Sequence, residues 1–303
     1  MIMGIIDKIR NLKHEKNIAI MAHNYQIPEI QDLADFVGDS LELAKKSRGI
    51  EEKTIIVCGA DFMAETAKIL NPGKKILNPS NENCCLMAQQ ITPKMISDAK
   101  KIFPEAKVVL YVNSSAECKA LADSCCTSGN ADRIVNAMDS EQIIFSPDKN
   151  LAWFVQQRTK KKIIAVPADG HCYVHSHIAL KDVQKAKESY PLAEVIAHPE
   201  CLPEVQKAAD AVRSTSGMIK HAKESRAHEF IIATEVGMLH RLRKEIPHKK
   251  FYPVSENAIC IQQKKVNLEN LLEALEKETF EVKIEEKTRN KAAESIERMI
   301  SIS

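Results

Sequence analysis

A hidden internal period constrains this chain more than any other feature. Three segments align without gaps at their diagnostic positions: AHNYQIPEIQDLADFVGDS from Ala22, YVNSSAECKALADSCCTS from Tyr111 and AHPECLPEVQKAADAVRST from Ala197. Glu29, Ala34, Asp35 and Ser40 recur 88 residues later as Glu117, Ala122, Asp123 and Ser128, and 87 residues after that as Glu204, Ala209, Asp210 and Thr215. Further on, the pairs Lys74-Lys75, Lys161-Lys162 and Lys249-Lys250 each open an apolar run that closes on Pro79, Pro167 or Pro253. A cysteine follows each proline: Cys85, Cys172 and Cys260, spaced 87 and 88 apart. Phasing that holds at both ends of the unit marks a threefold internal duplication. Length alone, 303 residues, suggests only two domains of roughly 150.

Within a unit the pattern reads strand, helix, short strand, helix, strand, helix, strand. Asn17–Ala22 is nearly all apolar, as a parallel strand buried on both faces must be. Ile30, Leu33, Ala34 and Val37 follow at helical spacing. Ile55–Gly59, Ile143–Ser146 and Phe230–Thr234 are the matching second-half strands. The fold class expected is α/β: three homologous three-layer α/β/α domains, each with a small parallel sheet, related by pseudo-threefold symmetry. The division expected is 1–88 with the tail 265–303, then 89–174, then 175–264. In the tail, Leu268–Leu275 and Arg289–Ile300 look helical, Phe280–Ile284 alternates like a strand, and the whole should fold back on the first unit.

Composition removes several function classes. Lys plus Arg number 43 against 41 Asp plus Glu, so there is no basic excess to drive nucleic-acid binding. No apolar run approaches the roughly 18 residues of a membrane span, and Met1–Arg10 reads as an amphipathic helix and not a signal peptide. The 9 glycines include no G-x-G and no P-loop, which excludes both glycine-rich nucleotide motifs. The 9 cysteines include no C-x-x-C, and an odd count without a leader fits free thiols in a reducing cytoplasm.

In parallel sheets ligands collect at the carboxyl ends of the strands, and the phased polar residues all follow strand candidates. Three cysteines meeting near a pseudo-threefold axis suit an iron–sulfur cluster with one open iron, or less often a Cys₃ zinc site. At the Cys84-Cys85 doublet the spacing does not choose between the two. Buried inert packing is the competing reading for any single cysteine; Cys58, Cys125 and Cys126, in apolar surroundings, are assigned to the core. Ser40, Ser128 and Thr215 each stand where a hydroxyl can cap a helix, and three such helix ends would form an anion site. His23 with Tyr25, Tyr111 with Asn113, and His198 with Glu200 supply acid–base candidates. His175 can reach the same site, whereas His177 is placed to cap the next helix.

These motifs, with FSPDKNLAWFV, PADGHCYVH, STSGMI and FYPVSENAIC, resemble those of quinolinate synthases from about Asn17 to Cys260. The resemblance implies three α/β domains and a 4Fe–4S cluster on Cys85, Cys172 and Cys260, which resolves the doublet in favour of Cys85. It implies condensation of iminoaspartate with dihydroxyacetone phosphate to quinolinate, with loss of phosphate and two waters, in NAD biosynthesis. Substrate would meet His23, Ser40, Tyr111, Asn113, Ser128, His198, Glu200 and Thr215. Glu200, Tyr25, His23 and His175 would move protons. Its partners would be the two small substrates, with transient contact to the enzyme supplying iminoaspartate, and neither nucleic acid nor membrane. Asn24 stands where some members carry tyrosine. A diphthamide-type radical enzyme shares the plan of one cysteine per domain, but the H-N-Y-Q and H-P-E-C motifs argue against it.

Overall fold

The computed structural model describes residues 2–303. The first unit runs α1 (Ile2–Glu15), β1 (Ile18–His23), α2 (Pro28–Leu33), β2 (Phe36–Gly38), α3 (Ser40–Ser47), β3 (Thr54–Cys58), α4 (Asp61–Leu70) and β4 (Lys75–Leu77). The second runs α5 (Pro93–Ile102), β5 (Lys107–Tyr111), α6 (Ala116–Lys119), β6 (Ser124–Cys126), α7 (Ala131–Ala137), β7 (Gln142–Ser146), α8 (Lys149–Gln156) and β8 (Lys162–Ala165). The third adds a short α9 (Tyr173–Ser176), then α10 (Leu180–Ser189), β9 (Glu194–Ala197), α11 (Pro203–Ala208), β10 (Ala211–Val212), α12 (Thr215–Glu224), β11 (Glu229–Ala233), α13 (Met238–Glu245) and β12 (Lys250–Pro253). The tail is α14 (Leu268–Lys277) and α15 (Glu286–Ile302).

Each unit folds into a four-stranded parallel sheet, ordered β2-β1-β3-β4, β6-β5-β7-β8 and β10-β9-β11-β12. The chain leaves the first strand in one direction and returns on its other side. This opens a crevice at the carboxyl ends of β1 and β3, β5 and β7, and β9 and β11, where ligands bind such sheets.

The repeated residues explain why each copy folds alike. Asp35, Asp123 and Asp210 each accept the backbone N–H of the neighbouring strand, at Ile20, Val108 and Val195, all at 2.8 Å. Each also donates its own N–H to that residue's carbonyl, so a short edge strand is pinned at both ends of one residue. The first lysine of each Lys-Lys pair reaches carbonyls beyond a helix C-terminus: Lys74 bonds Ile50, Lys161 bonds Met138, and Lys249 bonds Ala222 and Ser225. A cation there offsets unpaired carbonyls and the helix dipole.

The units are stitched in a ring by one buried side chain each. Gln31 of the first donates to its own Asn24 and Gln26 carbonyls and to Gly237 O of the third. Gln206 of the third donates to Pro199 and Cys201 carbonyls and to Asn150 O of the second. Lys119 is the second unit's counterpart: fully buried, it donates to Ser114 O at 2.5 Å and lies over the Phe62 ring of the first.

Two expectations change. The stretch Phe280–Ile284 forms only an isolated antiparallel bridge between Glu281 and Leu77, because Phe280 adopts a left-handed φ of 56° that breaks the extended run. α14 does pack on the first unit, burying Leu271 and Leu275 with Ile9 and Ile18. α15, however, spans the first and second units, with Ile296 and Met299 in the same core as Met63 and Val135, and Ser295 donating to Lys119 O.

Candidate active site

Every site residue singled out in the sequence lines one cavity of about 780 Å³, counted to its mouth, where the three crevices meet. At one end are the three cysteines. Each heads a short helical turn, and its thiol accepts a backbone N–H three residues on: Ala88 for Cys85, His175 for Cys172 and Gln263 for Cys260. Burial is the main cause of the raised pKa at Cys85 and Cys172, and neighbouring thiols add to it: Cys260 at Cys85, and Cys260 and Cys85 at Cys172. All nine cysteines are free, and Cys58, Cys118, Cys125, Cys126 and Cys201 are buried away from this cavity. Three convergent thiols, each offered an N–H, fit a three-thiolate cluster site. Cys84 is partly exposed and does not line the cavity.

The two repeated histidines share one geometry. His23 Nδ1 accepts the Tyr25 backbone N–H at 3.2 Å, and His198 Nδ1 accepts that of Glu200 at 3.3 Å. Nδ1 is therefore the acceptor in both rings, which leaves Nε2–H as a donor. Burial lowers both pKa values to about 3, with the cation Lys264 adding to the effect at His23. Both histidines are thus neutral hydrogen-bond donors near pH 7, suited to carboxylate or carbonyl oxygens.

Glu200 anchors a hydrogen-bonded chain. Tyr111 donates its hydroxyl to Glu200 Oε1 at 2.5 Å, and His175 Nδ1 lies 2.9 Å from Glu200 Oε2 and 3.2 Å from Cys172 Sγ. His175 Nε2 lies 2.8 Å from Thr234 Oγ1, which is 2.7 Å from the Tyr25 hydroxyl. A carboxylate only accepts, so Tyr111 and His175 both donate to Glu200, and Thr234 joins the far side of His175 to Tyr25. Burial opposes the Glu200 charge, but His175 and the Tyr111 hydroxyl, which both contact its oxygens, more than offset it and hold its pKa well below the usual carboxylate range. Burial and the Glu200 charge keep both tyrosines protonated. Thr234 was missed in the sequence because only its position, at the close of the β11 candidate, marked it. Gln263, which approaches His23 Nδ1, was also missed.

The hydroxyl positions require correction. Asp39 caps α3 through Leu41 and Glu42 N–H, and Ser214 caps α12 through Gly217 N–H, so Ser40 and Thr215 are first helical residues and not caps. Ser128 lies in the turn before α7, whose N-cap position is Asn130. The short acidic or hydroxyl side chain one residue earlier does the capping, and this leaves the Ser40 and Thr215 side chains turned to the cavity. Thr215 Oγ1 accepts from Asn24, whose carbonyl in turn accepts from Arg241. Ser128 bonds the Tyr111 hydroxyl. Asn113 Oδ1 is buried with no partner, an acceptor that a ligand donor would satisfy. His177 bonds back to Tyr173 O and does not cap α10, whose N-cap position is Ala179.

No helix among the described residues is long and apolar enough to cross a membrane. Comparison with known proteins agrees with the geometry. A family model described as quinolinate synthetase A protein matches residues 7–301. The quinolinate synthase of Pyrococcus horikoshii is 50% identical over 301 residues, covering 99% of this chain and 100% of the relative. Those of Methanocaldococcus jannaschii and Thermotoga maritima are each 48% identical, covering 100% and 98% of this chain and 100% and 99% of their own lengths. The chain belongs to the quinolinate synthetase A family.

Proposed function

We propose that the protein condenses iminoaspartate with dihydroxyacetone phosphate to quinolinate, releasing phosphate and two waters, as the cytoplasmic enzyme of de novo NAD biosynthesis. The observation that carries this reading is the meeting, in one cavity, of three phased thiols with Tyr25, His175, Glu200 and Tyr111, which Thr234 joins from behind the wall into one hydrogen-bonded chain. Cys85, Cys172 and Cys260 would hold a 4Fe–4S cluster. When bound, such a cluster supplies a Lewis acid at its open iron for a substrate carboxylate or hydroxyl.

The chain's own residues supply the rest. The neutral Nε2–H groups of His23 and His198 hold oxygens of the dicarboxylate. Ser40, Ser128, Thr215 and Asn113 line the remaining polar wall. Glu200 is the proton acceptor, because its carboxylate stands among the substrate-facing donors and already receives two hydrogen bonds. Tyr25 returns protons, with Thr234 and His175 relaying between it and Glu200. Neutral donors and phenols leave the cavity without fixed cations of its own, so substrate orientation comes from hydrogen-bond direction and not from bulk attraction. Transient delivery by the enzyme that makes iminoaspartate would suit so small a substrate.

A second reading has one observation behind it. Donor atoms of Cys172, His175 and Glu200 lie within 4.8 Å of one another and could take a single metal ion. That site predicts metal without acid-labile sulfide, and loading that survives Cys85→Ser. The deciding assay is quinolinate formation from the two substrates by anaerobically reconstituted protein. Loaded protein that consumes neither substrate would refute the proposed activity.

A further inference from the structure

Outside the cavity wall, each unit places one carboxylate behind its cysteine. Asp61 Oδ1 accepts the backbone N–H of Cys85 at 3.1 Å, Asp148 Oδ2 that of Cys172 at 3.0 Å, and Glu235 Oε1 that of Cys260 at 3.2 Å. The three follow β3, β7 and β11 and are themselves in phase, 87 residues apart. Asp148 and Glu235 are fully buried. We propose that Asp61, Asp148 and Glu235 are positioning residues that clamp the three cysteine loops to the sheet edges and so hold the thiolates in cluster-binding geometry; the proposal rests on the cluster reading above.

The carboxylates differ in how they are used. Asp148 spends its second oxygen on the head of α8, accepting Leu151 N–H at 2.7 Å. Glu235 spends its second on Gly237 N–H at 2.7 Å and receives the Lys264 ammonium on the first at 2.9 Å. Each thus bridges two N–H donors with two different oxygens. The site is also packed tightly, since a Cβ at Gly237 would stand 2.8 Å from Glu235 Oε2. Asp61 instead uses Oδ1 for both Cys85 N–H and Phe62 N–H. An amide keeps one acceptor and turns the other oxygen into a donor. Asp61→Asn can therefore keep both bonds, whereas Asp148→Asn and Glu235→Gln must each point an NH₂ at an N–H.

Partners behind metal ligands typically contribute about 10–100-fold in metal affinity. The test follows iron loss to an excess of chelator from anaerobically reconstituted protein, by the decay of cluster absorbance. Asp148→Asn and Glu235→Gln should release iron about 10–100-fold faster than wild type, and Asp61→Asn at the wild-type rate. Asp148→Ser keeps a capping hydroxyl for α8 but cannot reach Cys172, so it separates capping from clamping and should also release iron fast. Thermal melts of the metal-free forms identify any variant that has simply failed to fold, in which case Glu235→Gln and Asp148→Ser decide between them. Release at the wild-type rate from folded Asp148→Ser and Glu235→Gln would overturn the clamp. Wild-type protein that takes up no iron and sulfide would instead refute the cluster reading itself.

Discussion

Replacing Thr234 by valine removes one hydroxyl and almost no volume, so packing around it is retained. Two groups lose a partner. His175 is buried, with 1% of its surface exposed, and among the described residues Nε2 has Thr234 as its one partner. An orphaned buried polar nitrogen costs about 1–3 kcal/mol. Tyr25 faces the cavity and can turn to water, so its loss is the ordinary net value of about 0.5–1.5 kcal/mol. The sum is a destabilisation of about 1.5–4.5 kcal/mol, read by urea denaturation of the metal-free protein under anaerobic conditions. Turnover should fall on the order of 10²-fold, because both Tyr25 and His175 lose the contact that orients them. Iron content should not change, since Thr234 touches no cysteine. Thr234→Ser restores the hydroxyl and should recover most of both losses. If the valine variant were as stable and as active as wild type, the chain through Thr234 would be a coincidence of placement and not a working connection.

The caps give a paired test. Asp39→Ala should cost about 1 kcal/mol through loss of the α3 cap, whereas Ser40→Ala should leave the denaturation midpoint alone and raise KM. Glu200→Gln should keep its cluster yet lose about 10²–10⁴-fold in turnover, the usual contribution of a positioned proton acceptor; single-turnover product formation checks it. His23 and His198 predict an acid-side loss of stability. Their folded pKa values, about 3, lie below the unfolded value near 6.5, so the unfolded chain binds more protons between those limits and stability falls as pH drops through that window. At pH 5.5 each histidine should withdraw about 1.4 kcal/mol relative to neutral pH. The His23→Gln, His198→Gln double variant should flatten that slope in denaturation experiments run from pH 7 to pH 5.

Much of this was legible because duplication converts chemistry into spacing. The cysteines at 85, 172 and 260 and the strand ends at 23, 111 and 198 stood out since three copies agree. What differs between copies was hidden. The loop clamps are Asp, Asp and Glu, and a glutamate in the third position reaches the same N–H through one more methylene. The ring stitches are Gln31, Lys119 and Gln206, where an ammonium over the Phe62 ring replaces two amides that reach a carbonyl of the neighbouring unit. Thr234 is matched by Ala60 and Pro147 in the other units, so no pattern marks it. The caps were misplaced by one residue because Asp39-Ser40 and Ser214-Thr215 each offer two adjacent capping types, and only backbone geometry separates them. α15 went unplaced across two units because an amphipathic helix states which face is buried and not against what.

The convergence of three thiols is tested most directly by iron and acid-labile sulfide per chain after anaerobic reconstitution, for wild type and for Cys85→Ser, Cys172→Ser and Cys260→Ser, with Cys84→Ser as control. Wild type and Cys84→Ser should each carry iron and sulfide in equal amounts and absorb as a 4Fe–4S protein. Each of the other three should lose cluster and quinolinate formation together. Full loading of any of those three, or full loss in Cys84→Ser, would contradict the assignment of one cysteine from each unit to a single site.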